Sequence, residues 1–317
     1  MASAEAFERG GPDCIGMRLV TYKFNAKKRI GIVPSTGEGR VYDATELAGS
    51  VDMTMLIENA DDILPRLQDS VRLSPVAVDL SAAELGPPVD RPGKIVCLAG
   101  NYRAHIAESG YVEPERQSRF APQLFLKPST SLIGDQCVIQ LGGQNVKVGW
   151  ETELAVVIGK PGRNIREEDV YDHVFGYTIL NDLSERGLNS GIENRHMREM
   201  DKFCDWLAGK WFDGFAPCGP WLVTKDEIPD PHDLEIRFFL NGELRQQGNT
   251  RDMIFSIPEQ IAYISSIMTL EPGDIISTGT PAGAGLGDKA TSLADGDELI
   301  SEIEGIGRLT NKVRWVD

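Results

Sequence analysis

The sequence predicts a mostly-β α+β protein whose main domain is built on a mixed, rolled or barrel-like sheet. Three observations point there. Short apolar segments bounded by Gly, Pro, Asn or Asp recur along the chain, from KIVCLAG through VFGYTILND to RLTNKVRW. Segments with helical spacing are few. The strand segments do not alternate with helices, as a doubly wound parallel sheet would require. The length of 317 residues suffices for a full core with a small domain beside it.

Residues 1–16 carry Glu5 and Glu8 and no apolar core. They read as a disordered extension, and lack the character of a secretory signal or an Arg-rich transit peptide. Residues 17–89 form a small N-terminal domain. MRLVTYKF and RIGIVP are strands, and GEGRVYDATEL closes a hairpin-like unit. Residues 51–70 have helical spacing at Met55, Leu56, Ile63 and Leu67, interrupted at Pro65. The Pro-rich stretch 71–93 reads as a linker. The catalytic domain, 90–317, adds strands at FLKPSTSLIG, NVKVGWETELAVVIGK, LEIRFFLNGE, GDIISTGT and DELISEIEGIG. Its helices are expected near 101–109, 166–172, 191–208 and 257–270. Asn241-Gly242 signals a tight turn.

Charge narrows the function classes. With 48 acidic against 32 basic residues the net charge is -16, which argues against a nucleic-acid or anionic-membrane surface. An acidic chain that binds an anionic substrate must supply positive charge locally, through a metal ion or a few placed Lys and Arg residues. The five cysteines are scattered without a C-x-x-C pair and read as reduced thiols. No apolar run approaches the roughly 20 residues of a membrane helix. A cytoplasmic protein is expected.

In GWETELAVVIG, Glu151 and Glu153 are two apart on a strand and so share one face. That face continues with Ala155 and Val157; the other carries Trp150, Thr152, Leu154, Val156 and Ile158. Such a strand is buried on both sides. A lone Glu-x-Glu is more often a solvated strand end, but apolar neighbours on the same face weigh against that here. Two buried carboxylates each cost several kcal/mol unless compensated, and a divalent cation compensates both. Asp182, at the end of VFGYTILND, is a third candidate ligand. Three carboxylates suit a hard ion, Mg²⁺, Mn²⁺ or Ca²⁺, and not structural zinc.

In NYRAHIAESG, His105 and Glu108 are three apart, on one face of a helical turn. A carboxylate that orients an imidazole makes a general base for water. An arbitrary H-x-x-E is more often a solvated pair; the position directly after an apolar strand raises the odds. His173, His196 and His232 receive no catalytic role. Lys210, set among aromatics, Gly and Pro, is placed to stabilise an oxyanion. Arg186 is placed to hold a substrate carboxylate, and Lys127 is a further candidate cation. STGTPAGAGLGD is no phosphate-binding P-loop; it reads as a tight loop near a small ligand, with Thr280 as its side-chain contact. Tyr102 and Asn189 complete the candidate substrate contacts.

Together CLAGNYRAHIAE, FLKPSTSLIG, WETELAVVIG, GYTILNDLSERG, GKWFDGFAPCGPW, NGELRQQGNT and STGTPAGAG resemble the fumarylacetoacetate hydrolase family, in the family's order. The resemblance implies a mixed β-roll catalytic domain, usually in a homodimer. It implies Mg²⁺ or Mn²⁺ at Glu151, Glu153 and Asp182, a water-activating His105–Glu108 pair, and Lys210 beside the metal. It also implies substrate contacts from Arg186 and Thr280. Gly187 and Asn189 stand where the family often has an acid and a glutamine, and 189–210 is longer than in simple members. The expected activity is metal-dependent hydrolysis of a C–C bond in a small anionic acylpyruvate-type 2-oxo acid through an enolate. The alternatives are a decarboxylase or isomerase of a 2-oxo or 2-hydroxydienoic dicarboxylic acid, and a non-catalytic metal-stabilised binding protein.

Overall fold

Strand pairing begins with the first described residue. The structure, a computed structural model, describes residues 17–34, 39–73, 77–108, 120–143, 145, 147–285 and 292–316; the expected extension 1–16 lies outside them. Met17–Phe24 (β1) and Lys27–Pro34 (β2) pair antiparallel along their full length. Asn25 and Ala26 both take positive φ (52° and 60°) at the turn, the backbone hand that matches strand twist. Arg40–Asp43 (β3) and Ala77–Asp79 (β4) extend this meander, and Glu84–Leu85 (β5) pairs with β1. The stretch expected as a linker, 71–93, therefore contributes two strands.

Three helices lie between β3 and β4: Thr45–Ala48 (α1), Met53–Glu58 (α2) and Ala60–Leu73 (α3). The break expected at Pro65 falls at Asn59 instead, and Pro65 sits inside α3. Proline at that position forfeits one backbone bond near the helix start. Met53, Leu56, Ile57, Ile63 and Leu67 are buried, whereas Met55 is exposed.

The remaining strands are Ile95–Ala99 (β6), Gln123–Lys127 (β7), Leu132–Ile133 (β8), Val138–Leu141 (β9), Val148–Gly149 (β10), Thr152–Ile158 (β11) and Val174–Asn181 (β12). After them come Ser184–Glu185 (β13), Ala216–Thr224 (β14), Glu235–Leu240 (β15), Glu243–Asn249 (β16), Ile275–Ser277 (β17), Glu298–Ile303 (β18) and Gly307–Trp315 (β19). The helices among them are Arg103–Glu108 (α4), Val170–His173 (α5), Asp201–Ala208 (α6) and Ile257–Ile267 (α7). The large sheet runs β4-β3-β2-β1-β14-β12-β11-β17-β6-β7, so the N-terminal meander joins it through β1 and β14. A second sheet, β16-β15-β18-β19-β9, lies against β11, β12 and β14. Both sheets are mixed, with parallel pairs at β17–β6 and β19–β9. The fold is mostly β as expected, but neither sheet closes into a barrel. At the β15–β16 turn Asn241 and Gly242 both have positive φ, as the Asn-Gly signal predicts.

Every residue of β11 is buried. Ala155 and Val157 face one apolar core, while Leu154, Val156 and Ile158 face another. Each fully buried Val, Leu or Ile contributes about 1.5–3 kcal/mol, so this strand is fixed in register by two cores at once. A one-residue slip would exchange its two sets of side chains.

The helix expected over 191–208 forms only at α6. Asn189 and Asn194 take left-handed φ (61° and 55°) ahead of it, a conformation a helix cannot contain. Helix α7 starts with a capping box, Ser256 and Glu259 bonding each other's backbone N–H. His232 adds a second cap: its Nε2 accepts from Ile257 N at 2.9 Å. That bond requires Nε2 unprotonated. Burial holds the His232 pKa below its ordinary value, against the pull of Asp230 and Glu259. The unfolded chain then binds the proton more strongly. The stabilisation is complete above about pH 6.5 and is lost as pH falls through the lower folded value. Between pH 7.5 and 5.5 the wild type is expected to lose more Tm than His232→Gln, whose amide oxygen accepts the same bond without titrating. Equal pH slopes for the two proteins would refute the cap.

Candidate active site

The β11–β12 register assembles the acidic cluster. Thr152 stands opposite Asn181 and Glu153 opposite Leu180. Just beyond the paired residues, Asp182 N donates to Glu151 O at 2.8 Å, and Glu151 N donates to the Asn181 side chain at 2.9 Å. The start of one strand and the end of its neighbour thus bring three acids to one point. A carboxylate oxygen from each of Glu151, Glu153 and Asp182 lies within 4.8 Å of the others, and Glu153 and Asp182 are each only 1% exposed.

Cations surround this point. Lys210 Nζ donates to Glu151 at 2.8 Å and to Asp182 at 2.5 Å, with the Phe125 ring 5.1 Å from its nitrogen. Lys127 Nζ donates to the other Asp182 oxygen at 2.6 Å and to Leu183 O at 3.1 Å. Arg186 Nη2 donates to Glu151 at 2.9 Å. Burial opposes ionisation of Glu151, yet Lys210 and Arg186 outweigh it and hold its pKa down to about 2. Glu153 goes the other way. Its burial, with the charges of Asp182 and Glu151, pushes its carboxyl well above the usual range. Ser277 Oγ (2.5 Å) and Gly279 N (2.9 Å) bond one of its oxygens. Gly279 has φ of 94°, and an added Cβ would come within 2.7 Å of Asn101 Cβ, so the loop reaches Glu153 only because this residue is glycine.

The donor set fits a hard divalent cation. All three candidate ligand atoms are carboxylate oxygens, the chemistry of Mg²⁺, Mn²⁺ and Ca²⁺. The buried thiol nearest in charge coupling, Cys97, is pushed well up by burial and by Asp182 and Glu153. It supplies none of the clustered ligand atoms.

Glu151, Glu153, Lys210, Arg186, His105 and Thr280 line one cavity of about 760 Å³. His105 Nδ1 lies 3.4 Å from Glu108 Oε2, and Gly283 N donates to the other Glu108 oxygen at 2.8 Å. Burial raises the Glu108 pKa, but the bonds from His105 and Gly283 outweigh this and hold the carboxyl below its ordinary value. Arg186 Nη1 is buried without a partner among the described residues, and an orphaned guanidinium N–H at a cavity wall calls for an anionic oxygen.

Residues 94–314 match the family model described as the fumarylacetoacetate (FAA) hydrolase C-terminal region. The chain belongs to the fumarylacetoacetate hydrolase family. It is 39% identical over 301 residues to human mitochondrial oxaloacetate tautomerase FAHD2A, covering 94% of this chain and 91% of that protein. An uncharacterized protein of Pyrococcus abyssi is 47% identical over 223 residues, 70% of this chain and 91% of the other. Among solved structures, the fold is similar to maleylpyruvate hydrolase from Sphingobium sp. SYK-6, with a TM-score of 0.76, 31% identity, and coverage of 95% of this chain and 100% of that one. The same hydrolase has been solved in complex with manganese(II) ion and pyruvate.

Within this family fold, three residues expected to touch substrate stand elsewhere. Lys127 has a fully buried side chain committed to Asp182 and Leu183, so it supports a ligand carboxylate from behind. Tyr102 is 2% exposed and packs in the core beside Leu98 and Leu154; its ring follows the apolar pattern rather than the cavity. Asn189 donates to Asp205 at 2.7 Å, and so braces a cavity-lining acid. Thr280 does line the cavity, but its hydroxyl donates to Thr152 O and accepts from Gln246, each at 2.9 Å. Its single proton is already placed. Sequence reasoning missed Glu185, which sits between the cavity and the backbone N–H groups of Lys147 and Gly187. It also missed the role of α6, whose Lys202, Asp205 and Trp206 form one wall. Their spacing, i, i+3 and i+4, was the available signal.

Proposed function

We propose that this chain is a divalent-metal-dependent enzyme that hydrolyses a C–C bond in a small acylpyruvate-type 2-oxo acid. The observation that carries this reading is a cavity lined by Glu151 and Glu153, which converge with Asp182 behind them, by His105, which pairs with Glu108, and by Arg186, whose Nη1 has no partner among the described residues. Glu151, Glu153 and Asp182 would hold Mg²⁺ or Mn²⁺, and the ion would supply Lewis-acid stabilisation of negative charge on the 2-oxo oxygen. Arg186 takes the substrate carboxylate through Nη1. Lys210 commits two N–H groups to Glu151 and Asp182, holding both carboxylates in place. His105, oriented by Glu108, accepts a proton from water, which adds to the distal carbonyl. The C–C bond then breaks to give a carboxylic acid and pyruvate, with His105 returning the proton.

A second reading, tautomerisation of oxaloacetate, is favoured by the similarity to proteins so named over nearly the whole chain. It needs the same residues, with His105 moving a proton to and from carbon. The deciding experiment screens acylpyruvates and enol-oxaloacetate with Mg²⁺ or Mn²⁺, with and without EDTA, and identifies products. Chelator-sensitive release of pyruvate plus a carboxylic acid is expected. Chelator-sensitive loss of the enol without cleavage of any acylpyruvate would select the second reading, and no turnover of either would leave a binding protein.

A further inference from the structure

Resting on the 2-oxo acid reading, we propose that Gly149 is a positioning residue for substrate binding: its missing side chain leaves the space in which the Arg186 guanidinium lies, and so presets Nη1 for the substrate carboxylate. A glycine inside a strand pattern often marks a close approach. Here the approach is to a side chain. A Cβ added at Gly149 would lie 2.8 Å from Arg186 Cζ and 3.0 Å from both Nε and Nη2. Gly149 is buried and its φ is not positive, so the backbone conformation does not require glycine. The requirement comes from the guanidinium.

The ladder between β10 and β13 fixes the rest of Arg186. Gly149 stands opposite Ser184, and Val148 opposite Glu185. Arg186 N donates to Lys147 O at 2.8 Å. The Glu185 carboxylate accepts from Lys147 N at 3.0 Å and from Gly187 N at 2.6 Å. The backbone around Arg186 is thereby held, and its side chain lies against Gly149. From there Nη2 reaches Glu151 at 2.9 Å, while Nη1 is buried without a partner among the described residues. A long side chain already fixed before the ligand arrives loses less entropy on binding. Comparison with other glycines decides what a methyl group would do. At Gly176 and Gly209 an added Cβ would meet backbone oxygens, of Val223 at 2.1 Å and of Glu185 at 2.2 Å, which cannot give way. At Gly149 the three nearest atoms all belong to the end of one movable side chain. Gly149→Ala should therefore fold and displace the guanidinium.

A double-mutant cycle tests this, read as pyruvate affinity by calorimetric titration of the whole protein with Mn²⁺ present. Arg186→Ala is expected to weaken pyruvate binding about 10–100-fold, and Gly149→Ala about tenfold, the scale of hydrogen bonds to a charged group. In the Arg186→Ala background, Gly149→Ala should change the affinity by less than about twofold, because no guanidinium is left to displace. A merely structural role for Gly149 would lower affinity by the same factor in both backgrounds. That additivity, or an unchanged affinity in Gly149→Ala alone, overturns the proposal. Should Gly149→Ala fail to fold, the double variant decides. Folding restored by Arg186→Ala places the overlap at the guanidinium, whereas two unfolded proteins place it in the backbone and overturn the proposal. An Arg186→Ala protein that binds pyruvate like the wild type removes Arg186 from carboxylate recognition, and Gly149 with it, while the 2-oxo acid reading stands. If the wild type binds no pyruvate, that reading itself fails and this one with it.

Discussion

Asp182→Ala is expected to cost about 3–5 kcal/mol of stability and to abolish metal-dependent turnover. The magnitude follows from what the substitution strands. Lys127 and Lys210 have side chains that are 0% and 2% exposed, and both place a proton on Asp182. Without that carboxylate Lys127 keeps only Leu183 O, and Lys210 keeps only Glu151. Breaking a buried pair by removing one partner leaves an uncompensated charge, and such losses run to about 3–5 kcal/mol. Against a total stability of about 5–15 kcal/mol this is a large fraction. Glu151→Ala is the informative contrast. Glu151 and its partner Arg186 are each 12% exposed, and Lys210 still has Asp182. That variant should lose stability, because Arg186 and one Lys210 donor are stranded, but less than Asp182→Ala, and it should show no metal-dependent activity. Urea unfolding at unchanged m separates the two. An Asp182→Ala protein as stable as the wild type would show that the lysines find other partners, contrary to the buried network.

What could be foreseen in the sequence, and what could not, divides along the range of the interaction. Strand β11 was legible because both of its faces are apolar, and both faces do enter cores. Glu151 and Glu153 were legible as a pair because alternation along a strand is local. Asp182 was legible as a strand-end acid, but its meeting with the glutamates depends on the β11–β12 register, which no spacing encodes. Lys127 was read as a substrate contact because a lysine near a site suggests an anion; its actual partner is 55 positions away in the chain. Tyr102 was read as a substrate contact, although its ring belongs to an apolar core. The helix expected over 191–208 is absent from 191–200, where Asn194 takes a left-handed conformation. Pro65 was read as a break, but it stands inside α3 at the cost of one intrahelical bond, and the chain turned at Asn59 instead.

His105→Ala is expected to lower hydrolysis about 10²–10⁴-fold, the usual contribution of a general base, while leaving Mn²⁺ affinity unchanged. His105 supplies none of the clustered ligand atoms, so its loss should not reach the metal. Glu108→Gln should cost less, since an amide oxygen can still accept from Gly283 N and only the charge that supports the imidazole is lost. The same His105 variant separates the two functional readings when exchange of the substrate's C3 hydrogens is followed by NMR in D₂O. A base that acts on water can be removed without slowing exchange at carbon beyond what the metal site alone sustains. A base that acts on carbon cannot, so exchange and turnover would fall together. Hydrolysis that falls while exchange persists therefore assigns the His105 proton to water. Parallel loss assigns it to C3 and moves the chain toward tautomerase chemistry, and full activity in the variant would remove His105 from both mechanisms.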